Sequence, residues 1–157
     1  MHNRRGESMT AIILIGIPAS GKSTFCKERL FSTHVRINLD MLKTRHREKL
    51  LLQACLAAQQ SFVIDNTNAS PAERERFITP AREAGFKVIG YYFSSKVQDA
   101  LERNRQREGK ARIHDNGLHG TASRLKLPIM AEGFDELWYV RMDGDGGFII
   151  EEWNDEL

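Results

Sequence analysis

Ala11-Ile12-Ile13-Leu14-Ile15-Gly16-Ile17-Pro18-Ala19-Ser20-Gly21-Lys22-Ser23-Thr24 sets the architecture of the whole chain. Ala11–Ile15 is a continuous apolar, β-branched run and reads as a buried parallel strand. Gly16–Thr24 satisfies G-x-x-x-x-G-K-[ST] at every fixed position. From Thr24 to Phe31 the spacing of Phe25, Leu30 and Phe31 predicts one apolar face of a helix. Strand, glycine loop and helix in that order form the context of a phosphate site, because loop N–H groups and the positive helix end face an anion. Gly16 and Gly21 let the backbone approach the phosphates where a side chain would block it. Lys22 is expected to reach the β- and γ-phosphates, and the Ser23 hydroxyl to ligate Mg²⁺. The whole run of Gly16, Ile17, Pro18, Ala19, Ser20, Gly21, Lys22, Ser23 and Thr24 is thus assigned to binding a nucleoside triphosphate.

At 157 residues the expectation is one domain over 10–157, preceded by a flexible, basic tail over 1–9. The net charge of +2 excludes a global electrostatic drive toward nucleic acid, so any such affinity rests on local clusters. No apolar run approaches the ~20 residues of a membrane span. The Ile12–Ile15 run is too short for the apolar region of a cleavable signal and leads straight into the glycine loop. Cys26 and Cys55 sit among apolar neighbours without Cys-x-x-Cys spacing, which predicts buried free thiols in a reducing, cytoplasmic setting.

Downstream, Val35–Asn38 reads as a short strand running into Asn38-Leu39-Asp40, and a carboxylate there falls on the ligand edge of an open α/β sheet. Met41–Gln60 lacks Gly and Pro and predicts one long helix, basic at Lys43, Arg45, His46, Arg47 and Lys49, with Leu50, Leu51, Leu52, Leu56 and Ala57 as core. Phe62-Val63-Ile64-Asp65 is a third strand ending in an acid suited to the Mg²⁺ shell, followed by Asn66-Thr67-Asn68 at the same edge. Ser70-Pro71-Ala72-Glu73 carries a capping box with Pro at the first helical position. Pro80 is expected to kink or split the helix that follows.

Phe86–Phe93 predicts a fourth strand, and Ser95–Gln98 the cap of another helix. That helix runs into Arg103-Asn104-Arg105-Gln106-Arg107-Glu108, and a flexible glycine-containing stretch follows through Gly120, together reading as an arginine-bearing lid over 103–120. Glu136–Met142 and Phe148–Glu151 are strands joined by Asp143-Gly144-Asp145-Gly146-Gly147. That joint matches a D-x-D-G phosphatase core, but Asp-Gly is hairpin chemistry and no α/β domain follows it in this sequence. The predicted class is α/β: a P-loop NTPase three-layer sandwich with a mainly parallel sheet of about five strands plus a C-terminal hairpin.

Gly16–Thr24, Asn38-Leu39-Asp40, Asp65-Asn66-Thr67-Asn68 with its trailing Pro71-x-x-Arg74, Arg103–Glu108 and Met130–Phe134 together resemble the kinase domain of the 5′-polynucleotide kinases of phage, bacterial RNA-repair and animal DNA-repair enzymes. The resemblance implies an adenylate-kinase-like fold, ATP and Mg²⁺ as cofactors, and 5′-hydroxyl ends of DNA or RNA as partners in nucleic-acid repair. On that resemblance Asp40 is the general base, Arg107 the lid arginine on the transferring phosphate, and Arg103 a nucleotide contact. Lys43, Asn66 and Thr67 take the substrate side, and Ser23 and Asp65 the metal. Leu39 stands where an arginine usually precedes the base, and no companion phosphatase or ligase domain is expected within these residues. Two other readings share the motifs: a kinase of a sugar, nucleoside or antibiotic, and a nucleotide-gated binding protein with slow ATPase activity.

Overall fold

A computed structural model of the chain describes residues 9–94, 97–109 and 113–154. Most of the expected tail, the Ser95-Lys96 cap and Lys110–Arg112 of the basic run lie outside the described residues. The elements are β1 (Thr10–Ile15), α1 (Lys22–Arg29), β2 (Val35–Ile37), α2 (Leu39–Leu42), α3 (Arg45–Ala58), β3 (Phe62–Asp65), α4 (Pro71–Glu83), β4 (Lys87–Phe93), α5 (Val97–Arg105), α6 (Asp115–Arg124), β5 (Glu136–Met142) and β6 (Phe148–Glu152). The sheet order is β2-β3-β1-β4-β5-β6, with β5 and β6 antiparallel and every other pair parallel.

Alternation along β1 separates the two helical layers. Ala11, Ile13 and Ile15 pack with Leu52, Cys55, Phe77, Ile78 and Ala81 of α3 and α4. Ile12 and Leu14 face Phe25, Cys26 and Leu30 on the α1 side. A smaller cluster seats Ile17 and Ala19 of the glycine loop against Ala100, Leu101 and Leu118 of α5 and α6. Both cysteines are buried and free. Among the described residues no helix is long and apolar enough to cross a membrane.

Several local expectations change. The long helix over 41–60 is broken at Lys43, which takes φ 75°, and Thr44 caps α3 anew by accepting from the Arg47 N–H. Leu50 and Ala57 are exposed rather than core, whereas Leu52 and Cys55 are buried as expected and Glu48 is buried beside them. Helix α1 stops at Arg29, so Phe31 falls in a turn and is 80% exposed. Pro80 lies inside α4, which runs on past it to Glu83, so the proline does not split the helix; the bond it forgoes is the single one its missing N–H would give to the Arg76 carbonyl. The Gly117–Gly120 stretch is helical within α6, and Leu118 is buried. Asp143 closes the β5–β6 turn, its Oδ1 accepting from the N–H groups of Asp145 at 2.7 Å and Gly147 at 3.0 Å.

Candidate active site

The loop between β1 and α1 is shaped by two left-handed residues, Ala19 (φ 64°) and Gly21 (φ 101°). The Gly16 N–H donates to the Thr67 carbonyl at 3.1 Å, so the turn after β3 anchors the loop's entry. Lys22 is buried, and its Nζ donates to the Gly16 and Ile17 carbonyls at 2.7 and 2.8 Å. Burial lowers its pKa to about 8; Asp65 pulls it up, Arg107 pushes it down and Asp40 pulls it up. The ammonium therefore senses three separate elements: the end of β3, the start of α2 and the residues just past α5.

The Ser20 hydroxyl is buried inside the loop without a hydrogen-bond partner among the described residues. An orphaned donor, a loop of backbone amides and a desolvated ammonium fit a polyanion such as a triphosphate. Ser23 Oγ donates to Asp65 Oδ2 at 3.0 Å, a hydroxyl and a carboxylate close enough to share Mg²⁺. No group of three or more His, Cys, Asp or Glu suited to a metal occurs among the described residues, so a metal here rests on this pair.

The sequence reading missed Arg36. Its Nε donates to the same Asp65 oxygen at 2.8 Å, and its second nitrogen lies 3.5 Å from Ser23 Oγ. A usable signal was present: in Val35-Arg36-Ile37 the buried Ile37 faces α3, so alternation sends Arg36 to the α1 side with Asp65.

Asp40 is exposed in the first turn of α2. Two asparagines aim that turn. Asn38 accepts from the Met41 N–H at 2.9 Å and donates to the Asp65 carbonyl at 2.6 Å. Asn66 accepts from the Leu39 N–H at 2.9 Å and donates to the buried Glu48 at 3.0 Å. Both ends of the Asn66 amide are thus engaged within the protein.

A family model described as an AAA domain matches residues 43–128, more than half of the chain. The chain belongs to this AAA-domain family. It is 28% identical over 137 residues to the bifunctional polynucleotide phosphatase/kinase of Schizosaccharomyces pombe, across 85% of this chain and 34% of that protein. The chain therefore spans about a third of that relative's length. Among solved structures it superposes on a chain of the Pnkp1/Rnl/Hen1 RNA repair complex with a TM-score of 0.64 and 22% identity, over 78% of this chain and 46% of that one. A gluconokinase from Sinorhizobium meliloti 1021 superposes with a TM-score of 0.62 and 16% identity, over 85% and 83% of the two chains. The fold is that of the P-loop kinases.

Within this AAA domain the residues that carry the polynucleotide-kinase resemblance divide into two sets. Arg74 is fully buried, holds Glu132 through two hydrogen bonds of 2.7 and 3.2 Å, and donates to the Asn68 and Lys126 carbonyls. Asn68, at φ 50°, donates to the Leu14 carbonyl at 2.7 Å. Asn104 is buried and clasps both the N–H and the carbonyl of Ile113, at 3.0 and 2.6 Å. These residues tie the end of β1, α4, α5 and the segments on either side of α6 into one frame. Arg103 donates to the Ala19 carbonyl, and half-buried Arg107 lies within electrostatic reach of Lys22. Thr67 contributes the carbonyl that anchors Gly16, while Lys43 is exposed at the break between α2 and α3.

Proposed function

We propose that the protein transfers the γ-phosphoryl group of ATP to a 5′-hydroxyl end of DNA or RNA. The observation that carries this reading is the convergence of charges on Lys22: a strand-end carboxylate, an exposed carboxylate and a guanidinium, each from a different element. Phosphoryl transfer has a loose transition state, so positioning and charge neutralisation supply most of the rate. Bound MgATP would supply the phosphoryl group and neutralise its oxygens. Lys22 holds a positive charge against the β- and γ-phosphates in a site sheltered from water. Asp40, free of burial and aimed by Asn38 and Asn66, takes the proton from the acceptor hydroxyl as its oxygen bonds to the γ-phosphorus and the bond from that phosphorus to the bridging oxygen breaks, leaving ADP. Arg107 adds charge to the transferring group. Arg103, engaged with the loop backbone, holds the shape of the nucleotide cradle.

The similarity to a polynucleotide phosphatase/kinase over 85% of the chain favours a nucleic-acid acceptor. The gluconokinase likeness favours the second reading, a small-molecule kinase on the same scaffold. The test is transfer from γ-labelled ATP to a 5′-hydroxyl octanucleotide, its 5′-phosphorylated control, a nucleoside and a sugar. Label on the 5′-hydroxyl octanucleotide alone is the expected result. Labelling of the sugar or nucleoside at an equal kcat/KM would replace the polynucleotide reading by the small-molecule one. ATP hydrolysis with no labelled acceptor would leave the nucleotide-gated binder.

A further inference from the structure

We propose that the groove between α1 and β2 seats the acceptor strand beyond its reacting nucleotide, with Phe31 stacking a base and Lys27 and Arg36 holding phosphates. The proposal rests on the polynucleotide reading above and assigns the acceptor a path that reading does not contain. The groove encloses about 510 Å³ and is lined by Ser23, Cys26, Lys27, Phe31, His34 and Arg36. It begins at the catalytic edge, because Ser23 and Arg36 both touch Asp65. It then follows α1 to the turn after it, about 9 Å from Ser23 to the helix end at Arg29 at the helical rise of 1.5 Å per residue, with Phe31 just beyond. A strand whose 5′ end lies at Asp40 can therefore continue over the edge strand β2 and along this wall.

The chemistry of the lining matches a single strand. Among the described residues Phe31 is the most exposed of the large hydrophobic side chains, at 80%, and it belongs to none of the three core clusters. Base stacking on such a ring is sequence-tolerant, because every base has a π-face. The charged lining residues are both cations: Arg36 bonds Asp65 through Nε and keeps its other nitrogens for a phosphate, and Lys27 is exposed on α1. His34 has both ring nitrogens engaged by hydroxyls, Nε2 with Thr10 at 2.6 Å and Nδ1 with Thr33 at 2.7 Å. Burial also lowers its pKa, so it adds a flat, neutral surface beside the cations. An apolar ring with flanking cations and a neutral floor suits alternating bases and phosphates better than an acidic peptide or a bare sugar.

The experiment compares a 3′-mononucleotide with a 5′-hydroxyl octanucleotide, for the wild type and for Phe31→Ala, Phe31→Trp and Lys27→Ala. Binding of a fluorescein-labelled octanucleotide is followed in parallel by anisotropy. Phe31→Ala should lower kcat/KM and affinity for the octanucleotide roughly 5- to 100-fold and leave the mononucleotide unchanged, with Phe31→Trp retaining wild-type values. Lys27→Ala should flatten the salt dependence of octanucleotide binding by about 0.7 in log–log slope. Unchanged octanucleotide kinetics in both alanine variants, with the wild type active, overturns the groove and leaves the kinase reading intact. Equal losses for both acceptors also overturn it, since Phe31 would then act through the catalytic end. A wild type that binds the octanucleotide through Phe31 but transfers nothing to it keeps the groove and removes the kinase reading. Absence of both binding and transfer removes both.

Discussion

Lys22 offers the most quantitative test, because its charge is balanced near working pH. Burial takes its pKa from 10.5 to about 8, against the pull of Asp65 and Asp40. The difference of about 2.5 units corresponds to roughly 3 kcal/mol favouring the neutral amine over its ordinary balance. The unfolded chain keeps this proton up to its ordinary pKa. Between pH 8 and 10.5 it therefore holds a proton that the folded apo protein has released, and this residue's contribution to stability rises with pH through that window. Below pH 8 the full cost of the buried charge is present. A triphosphate seated in the loop restores the attraction for the proton. Binding of MgATP should thus take up about a tenth of a proton at pH 7 and about three-quarters at pH 8.5, and affinity should weaken about 30-fold between pH 7 and 9.5. Calorimetry in two buffers of different ionisation enthalpy measures the uptake directly. Lys22→Met, which cannot titrate, should show none. Arg107→Ala should move the midpoint upward, because the Arg107 charge is one of the forces holding it down. Flat affinity across this range, or the same uptake in Lys22→Met, would refute the assignment of the loop lysine as the group that meets the phosphates.

Asp40→Asn keeps shape and loses the base, so transfer should fall ~10²–10⁴-fold while calorimetry finds ATP affinity unchanged; parallel loss of affinity would assign Asp40 to the metal site. Arg36→Gln removes a cation competing for Asp65 Oδ2. Mg²⁺ affinity, titrated in the presence of ADP, should tighten roughly 5-fold, the scale of a half-exposed pair, and weakening would show that Arg36 supports the metal. Arg74→Ala leaves Glu132, 10% exposed, without its partner. Thermal unfolding should shift down on the order of 10 °C, and a shift within error would show that the bidentate pair contributes nothing to the frame.

The phosphate loop was legible in the sequence because its chemistry is local. A nest of backbone amides, a helix start and the lysine that follows are built by consecutive residues, and no distant contact is needed to recognise them. The same holds for the six strands and the Asp143–Gly147 turn, where short runs of apolar, β-branched and aromatic residues and hairpin residues act over a few positions. The break at Lys43 was not legible. Helix propensity favours continuity from Met41 to Gln60, and what ends α2 is the demand of Asn38 and Asn66 on its first turn together with the fresh cap at Thr44. The exposure of Phe31 and the burial of Glu48 likewise depend on where α1 stops and on which face of α3 meets Asn66.

Roles at the site divide along the same line. Strand-end position marks Asp40 and Asp65, and the family resemblance marks Arg103 and Arg107, as candidates for chemistry, yet only packing assigns Arg103 to the loop carbonyl and brings the Arg107 charge to Lys22. Arg74, Asn68 and Asn104 sit inside the stretches that carry the family resemblance, and the sequence alone assigns them no role. The structure buries all three and uses them to satisfy backbone groups at the sheet edge and between α5 and α6. A buried polar side chain must find partners, and those partners come from segments as much as 58 residues away, as with Arg74 and Glu132. No local pattern encodes that distance.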